Sequence, residues 1–175
     1  MTPDRPEGYS IGLPANPTIH PEGFEFAISP TQEPHYVTKA TGPLTGKSAV
    51  RMRYRVEGPP EAHIYGKGCG ETSGSAVTLY FATRSNDWKS DGGRWWARLA
   101  SAPLTGPGEA EIVAPLDGYW SSVTAMTTDT HRAVFEAAKA NAGRIGFTFA
   151  NCEGYGHGAR ATMPVKFIVT NFSIE

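Results

Sequence analysis

The sequence predicts an all-β protein, an antiparallel β-sandwich of the jelly-roll type with one short accessory helix near residues 130–141. Five segments alternate apolar and polar residues with a period of two, the pattern of strands with one buried face. The 175 residues include 20 glycines and 14 prolines, a content that favours many short strands joined by turns. Strands alternating regularly with helices, as in a parallel α/β sheet, are not predicted. A single closed barrel is the alternative architecture.

The predicted strands follow a proline-rich arm. Residues 1–22 carry five prolines, which exclude a helix there, and residues 23–175 are expected to form a single β-sandwich domain. The clearest strands are predicted at 24–29, 51–56, 77–82, 145–150 and 165–170. Weaker strands are predicted at 35–39, 94–100, 109–116 and 172–174.

The alanine-rich segment 130–141 is the predicted helix. Capping-type residues precede it at 128–130, and Asn141 and Gly143 follow the pattern's end. An isolated helix of this length is marginal in water, so we expect it to dock on a sheet edge or on an end of the sandwich. Its small apolar face is formed by Val134, Phe135 and Ala138.

The net charge and the hydropathy of the sequence limit the classes of partner that we expect. The formal net charge is −1, so no overall field attracts nucleic acid or an anionic membrane, and neither partner is expected. No apolar run approaches the roughly 20 residues of a membrane span. The first six residues are polar and proline-rich and do not form a signal peptide. The compartment therefore stays open: extracellular if a signal was removed, otherwise cytoplasmic or within a virion.

The most informative segment is 85–98, which holds three of the four tryptophans in otherwise polar, glycine-containing sequence. Strand alternation predicts Trp95, Ala97 and Leu99 on one face, and Arg94, Trp96 and Arg98 on the other. Trp96 then either packs under the arm or the helix, with the arginines stacked on it, or forms a platform for a flat ligand such as a sugar ring. In the second case we expect stacking on Trp88 and Trp96, with Tyr155 as a weaker candidate. The candidate hydrogen-bonding residues are Asp87, Asp91, Arg94, Arg98 and His157.

A second basic feature is the series Arg51, Arg53 and Arg55 on one strand face. Like charges at this spacing repel unless neighbours compensate them. One interpretation is a solvated face paired with acidic residues of adjacent strands. The other is a concave face that binds acidic or hydroxyl-rich polymers through guanidinium groups.

The two cysteines, Cys69 and Cys152, lie in separate glycine-rich loops. They are predicted to form a disulfide, worth about 4 kcal/mol in the chain-entropy model, or to be two free buried thiols. A zinc site with His63 and His157 has the right ligand types but lacks the short Cys-x-x-Cys spacing.

No cofactor and no catalytic residue is assigned. A structural calcium ion on Asp87, Asp91 or Asp117 has no ordered loop pattern to support it. No nucleophile elbow accompanies His157. Glu109 and Glu111 lie on one strand face at a separation that hydrolysis allows, but the acidic run of concanavalin-type hydrolases needs a third acid where Val113 stands. The chain is therefore not predicted to be an enzyme.

Several features together resemble the galactose-binding-like, jelly-roll carbohydrate-binding modules. These are the strand at Tyr36-Val37-Thr38 leading to the turn 42–46, the alternating strand 49–56, the tryptophan loop and the closing strand 165–174. The resemblance covers most of residues 23–175. It implies a non-catalytic sandwich whose aromatic side chains stack on sugar rings, often with a structural calcium.

The predicted function is non-catalytic binding of a carbohydrate polymer through the tryptophan and arginine surface. The alternative is a structural or interaction protein, such as a virion or appendage component that forms an oligomer through the arm. A polysaccharide hydrolase or lyase using the acidic pair or His157 is the third hypothesis.

Overall fold

The computed structural model describes residues 18–86, 91–151 and 158–175, and it confirms an all-β sandwich with one helix. Twelve strands occur in the described part: β1 Thr18–His20, β2 Gly23–Ile28, β3 Tyr36–Ala40, β4 Ala49–Glu57, β5 Ile64–Gly66, β6 Ser75–Thr83, β7 Arg94–Trp96, β8 Ala102–Leu104, β9 Gly108–Pro115, β10 Ala142–Ala150, β11 Ala159–Ala161 and β12 Val165–Ile174.

The strand order is that of a jelly roll. One sheet has the order β1-β2-β12-β4-β9, and the other has β3-β10-β6-β7 with β8 also pairing β6. All strand pairs among the described residues are antiparallel. Long strands that follow one another in the chain alternate between the two sheets, as two interlocked Greek keys require. A small third sheet pairs β11 with β5.

The core is the apolar layer between the two sheets. Its centre is aromatic: Phe167 stacks on Tyr54 and Phe26 with ring centroids 4.7 and 5.3 Å apart, and Phe149 meets it edge-on at 5.1 Å. These side chains come from the alternating apolar positions of the predicted strands, so one buried face per strand is enough to fill the interior.

All five of the clearest predicted strands are present, as β2, β4, β6, β10 and β12. The weaker predictions near 35–39 and 109–116 correspond to β3 and β9, and the one at 172–174 is the end of β12. Four three-residue strands, β1, β5, β8 and β11, were not predicted because they are too short to show a period.

The predicted strand 94–100 is wrong beyond Trp96. The backbone leaves the extended conformation at Ala97 (φ −82°, ψ 64°), and Arg98–Ala100 form one turn of 3₁₀ helix. Ala97 still faces the core, but Leu99 is 79% exposed and not on the buried face that alternation predicted.

Helix α1, Arg132–Ala140, lies where the sequence predicts it. Its Phe135 packs into the main core against Trp95, Phe81 and Trp120, with ring centroids 5.1, 5.7 and 5.9 Å away. The N-cap residue His131 makes no side-chain cap bond, so the N-terminus of the helix is held by this packing and not by a side-chain cap. Val134, predicted on the apolar face, is 39% exposed.

The part of the predicted arm at 18–20 is β1, which pairs with β2 at the edge of its sheet. Residues 1–17 lie outside the described ranges. Among the residues that the structure describes, no helix has the length and apolarity that a membrane crossing requires.

Candidate functional site

The tryptophan segment connects β6 to β7. Of its predicted ligand-binding residues, Asp87 and Trp88 lie outside the described residues, as do Tyr155 and His157 elsewhere in the chain. The described ends of this connection are Asn86, which is 9% exposed, and Asp91, which is exposed.

The two adjacent tryptophans point to opposite faces of the sheet, as predicted. Trp95 is in the main core, whereas Trp96 belongs to a separate buried cluster with Tyr36 and Tyr80. Across the outer face these three rings form what we call the aromatic row, with centroids 4.9 Å apart for Tyr36 and Tyr80 and 6.4 Å apart for Tyr80 and Trp96. The Arg94 guanidinium lies 5.3 Å from the Trp96 ring, a cation–π contact.

The aromatic row is buried, since Trp96 is only 1% exposed. Two threonine hydroxyls on this sheet are hydrogen-bonded. The Thr38 hydroxyl is bonded to the Tyr80 hydroxyl, and the Thr148 hydroxyl donates to the His35 carbonyl at 2.9 Å. A ligand can stack on Trp96 only if whatever covers the ring moves away. The platform role of Trp96 stays a prediction.

Arg98 does not continue this row. Because β7 ends at Trp96, Arg98 lies exposed on the 3₁₀ turn, and the prediction that it shares a strand face with Arg94 and Trp96 is wrong.

An open cleft of about 320 Å³ lies between the connection from β6 to β7 and helix α1, and we call it the α1 cleft. Its volume lies near the lower end of the range for small-molecule sites. One side is polar and comes from the β6–β7 connection, and the other is the outer surface of α1. The lining residues are Thr83, Ser85, Asn86, Asp91, Gly92, Gly93, Val134, Ala137, Ala138 and Asn141.

Two glycines, Gly92 and Gly93, lie in the polar wall of the α1 cleft, where there is little space for a side chain. Gly92 has a φ of +76°, and a Cβ atom on it would stand 3.1 Å from the Val134 side chain. A Cβ atom on Gly93 would stand 2.9 Å from Oδ1 of Asn86. The Gly92 amide donates to Oδ1 of Asp91 at 2.8 Å, which orients this carboxylate at the rim.

The chemistry of the α1 cleft is that of hydrogen bonding beside an apolar surface. Asp91 supplies an acceptor, and Asn141 supplies an amide group with both donors and acceptors. Asn86 is nearly buried, and its Nδ2 atom is closed to solvent. Val134, together with the alanines of α1, supplies methyl groups on the facing side. Of these residues, only Asp91 is among the ligand-binding residues that the sequence predicts. Asn141 was recognised only as the end of the helix, because nothing local to the sequence shows where α1 docks.

The arginine series is paired with carboxylates, as the first interpretation predicts, and binding of a polymer by this face stays a prediction. Arg51 contacts Glu111 and Glu175 at 3.1 and 3.0 Å, Arg53 contacts Glu111 at 3.3 Å, and Arg55 contacts Glu57 and Glu22 at 2.8 and 3.2 Å.

Glu111 is ill-suited to be a catalytic acid. The hydrogen bond from Arg51 holds the pKa of the Glu111 carboxyl below its usual range, and the nearby charge of Arg53 acts in the same direction. A general acid in glycoside hydrolysis needs a raised pKa.

Glu33 joins three segments near the glycine-rich loops. Its carboxylate, 14% exposed, accepts from Lys67 at 2.6 Å and from Arg160 at 2.5 Å. Burial alone would raise the pKa of Glu33, but the hydrogen bonds from Lys67 and Arg160 outweigh it and hold the pKa below its ordinary value. Periodicity could not reveal this clamp, because its members are far apart in the chain.

Cys69 is disulfide-bonded, so it is neither a free thiol nor a zinc ligand. Cys152, the one other cysteine in the sequence, lies outside the described residues, and the predicted pairing stays a prediction. In the ranges 18–86, 91–151 and 158–175, no three His, Cys, Asp or Glu side chains come together as a metal site would require.

Neither a protein-family model nor a curated protein sequence matches this chain.

Proposed function

We propose that this protein binds carbohydrate without catalysis, and that the α1 cleft is the binding site. The observation that carries the proposal is the composition of the cleft: the Asp91 carboxylate and Asn86 lie on one side of an open space of about 320 Å³, and the apolar surface of α1 with its C-cap residue Asn141 lies on the other.

A sugar ring fits such a surface because it presents two kinds of group. Its hydroxyls need donors and acceptors at the rim, which Asp91 and Asn141 supply. Its C–H faces gain from apolar contact, which Val134 and Ala137 of α1 supply. Asp87 and Trp88 follow Asn86 directly in the sequence, so the residues predicted for hydrogen bonding and stacking are covalent neighbours of this wall.

The test is native affinity electrophoresis of the full chain against neutral and acidic polysaccharides, at low and at moderate salt. We expect retardation by a neutral polysaccharide that survives salt and is lost in Asp91→Ala and Asn141→Ala. The matched control is Asp117→Ala, which removes one carboxylate outside the cleft. Retardation that disappears with salt would mean a charged surface binds instead. No retardation with any polysaccharide, or equal loss in the control, would contradict the proposal.

A second candidate function is an interaction protein that associates through the edge strand β1. Ile19 is 61% exposed at this edge and lies within the proline-rich arm. An exposed strand edge with an apolar side chain is a surface for another chain. Sedimentation should show an oligomer that Ile19→Ser and removal of residues 2–17 weaken. A monomer in every case would contradict this candidate.

A further inference from the structure

The outer face of the other sheet carries a second open depression, of about 440 Å³. It shares no lining residue with the α1 cleft. We call it the β12 depression; its lining residues are Pro21, Glu22, Arg53, Arg55, Glu109, Thr170 and Asn171.

An irregularity in β12 shapes this depression. The register between β12 and β4 shifts between Val169 and Asn171, so Thr170 is an additional residue without a partner in the ladder. The Thr170 hydroxyl donates to the Arg53 carbonyl at 3.2 Å and fixes the irregular strand. Beside it, Gly23 (φ +150°) lies so close to β12 that a Cβ atom would stand 1.9 Å from the Val169 carbonyl oxygen, which brings the turn at 21–22 over this end of the sheet.

The depression is lined by two arginines and two glutamates, and not all of these charges form ion pairs with one another. Arg53 is 62% exposed and makes a single ion pair, to Glu111, within the described ranges. Glu109 lies opposite Arg55 in register, yet among the described residues it forms no ion pair with it. The depression therefore offers guanidinium donors and a carboxylate acceptor side by side, together with the Asn171 amide.

These donors and acceptors indicate which class of ligand the depression could bind. Two arginines and two glutamates leave no net charge to attract a simple anion, and Pro21 is the one apolar residue among the described lining residues. Adjacent hydroxyl groups, in contrast, can accept from a guanidinium and donate to a carboxylate at the same time. We propose that the β12 depression is a second site for a neutral, vicinal-diol saccharide, on the opposite sheet from the aromatic row. The proposal takes only its class of ligand from the proposed function, and the two sites stand or fall separately.

The experiment is a titration of the ¹⁵N-labelled full chain with the methyl glycosides of galactose, glucose and mannose, followed by NMR. Shifts at the Thr170 and Asn171 amides report the β12 depression, and shifts at the Gly92 and Gly93 amides report the α1 cleft. We expect at least one glycoside to shift Thr170 and Asn171 in a saturable manner.

Variants then identify the groups that bind. Arg53→Ala and Glu109→Gln should each weaken binding at the depression by about tenfold, which corresponds to one lost hydrogen bond to a charged group. Arg53→Lys keeps the charge but loses the forked donors, and it should bind more weakly than the unsubstituted chain. The control Lys166→Ala removes a cation on the same face that is paired with Glu25 at 3.1 Å, and it should leave binding unchanged.

The outcomes separate the two sites. Shifts at Gly92 and Gly93 alone would overturn the β12 proposal and leave the α1 cleft standing, and shifts at Thr170 and Asn171 alone would do the reverse. Saturable shifts at Thr170 and Asn171 with sodium sulfate but with no glycoside would show an anion site and overturn the proposal. Equal weakening by Lys166→Ala and Arg53→Ala would also overturn it.

Discussion

A Cβ atom on Gly93 would stand 2.9 Å from Oδ1 of Asn86, so this backbone and this amide form one closely packed wall of the α1 cleft. Asn86 is 9% exposed, and its side chain has little room to move away. The glycine is thus required by the neighbour that it touches, and not by an unusual φ.

Gly93→Ala should therefore displace the Asn86 amide. We expect a loss of about 1 kcal/mol in the free energy of unfolding from overpacking, and about tenfold weaker saccharide binding at the cleft. The control is Gly42→Ala, because a Cβ atom there meets no other atom within 4 Å. Urea unfolding and affinity electrophoresis measure the two effects. Normal binding by a folded Gly93→Ala protein would show that the Asn86 wall does not contact the ligand.

The clamp at Glu33 predicts a dependence of stability on pH. Its folded pKa is lowered, so the stability it contributes is present above the unfolded pKa of about 4.3 and is lost as the pH falls through the folded value. Glu33→Gln should cost about 1–3 kcal/mol at neutral pH, because Lys67 and Arg160 lose their charged acceptor.

The measurement is urea unfolding of both proteins from neutral pH down to about pH 3. The difference between them should close on acidification. Glu111→Gln serves as the control, since its ion pairs with Arg51 and Arg53 are solvent-exposed and should contribute little to stability. A difference between Glu33→Gln and the unsubstituted protein that persists unchanged in acid would contradict an ionised Glu33 as its source.

The sequence was sufficient for the architecture because a period of two reports directly which face of a strand is buried, as at Phe24, Phe26 and Ile28. The sequence-based prediction is wrong at Leu99, because strand β7 ends at Trp96 and no proline or glycine in the sequence indicates that end. The site was harder to predict. Asp91 has a local signal, a polar residue in a tryptophan-rich connection, whereas Asn141 reaches the cleft only because α1 docks beside β6.

We expect Phe135 to contribute most to the docking of α1. Phe135 is fully buried against Trp95, Phe81 and Trp120, so Phe135→Ala should cost about 3–5 kcal/mol through the lost burial and the cavity it leaves. Its neighbour Val134 is 39% exposed, and Val134→Ala should cost under about 1 kcal/mol. Denaturant unfolding of both variants measures this contrast. Similar costs would mean that the helix is held by contacts other than Phe135.

Removing the hydroxyl group from two buried tyrosines should change the free energy of unfolding in opposite directions. The Tyr54 hydroxyl has no hydrogen-bond partner among the described residues, whereas that of Tyr80 is bonded to Thr38. An unpaired buried hydroxyl destabilises the folded state, so Tyr54→Phe should raise the free energy of unfolding by about 1 kcal/mol. Tyr80→Phe should lower it by a similar amount, because it leaves the Thr38 hydroxyl without its partner.

Alkaline pH offers an independent check on Tyr54. Burial raises its pKa to about 12, so the hydroxyl stays neutral in the folded protein while the unfolded chain ionises near 10. Ionisation of the unfolded chain then lowers stability as the pH rises from about 10 towards 12, and Tyr54→Phe should reduce that fall. Urea unfolding across this range compares the two proteins. An identical fall in both, or a loss of stability on Tyr54→Phe at neutral pH, would mean that the hydroxyl is hydrated or bonded in solution.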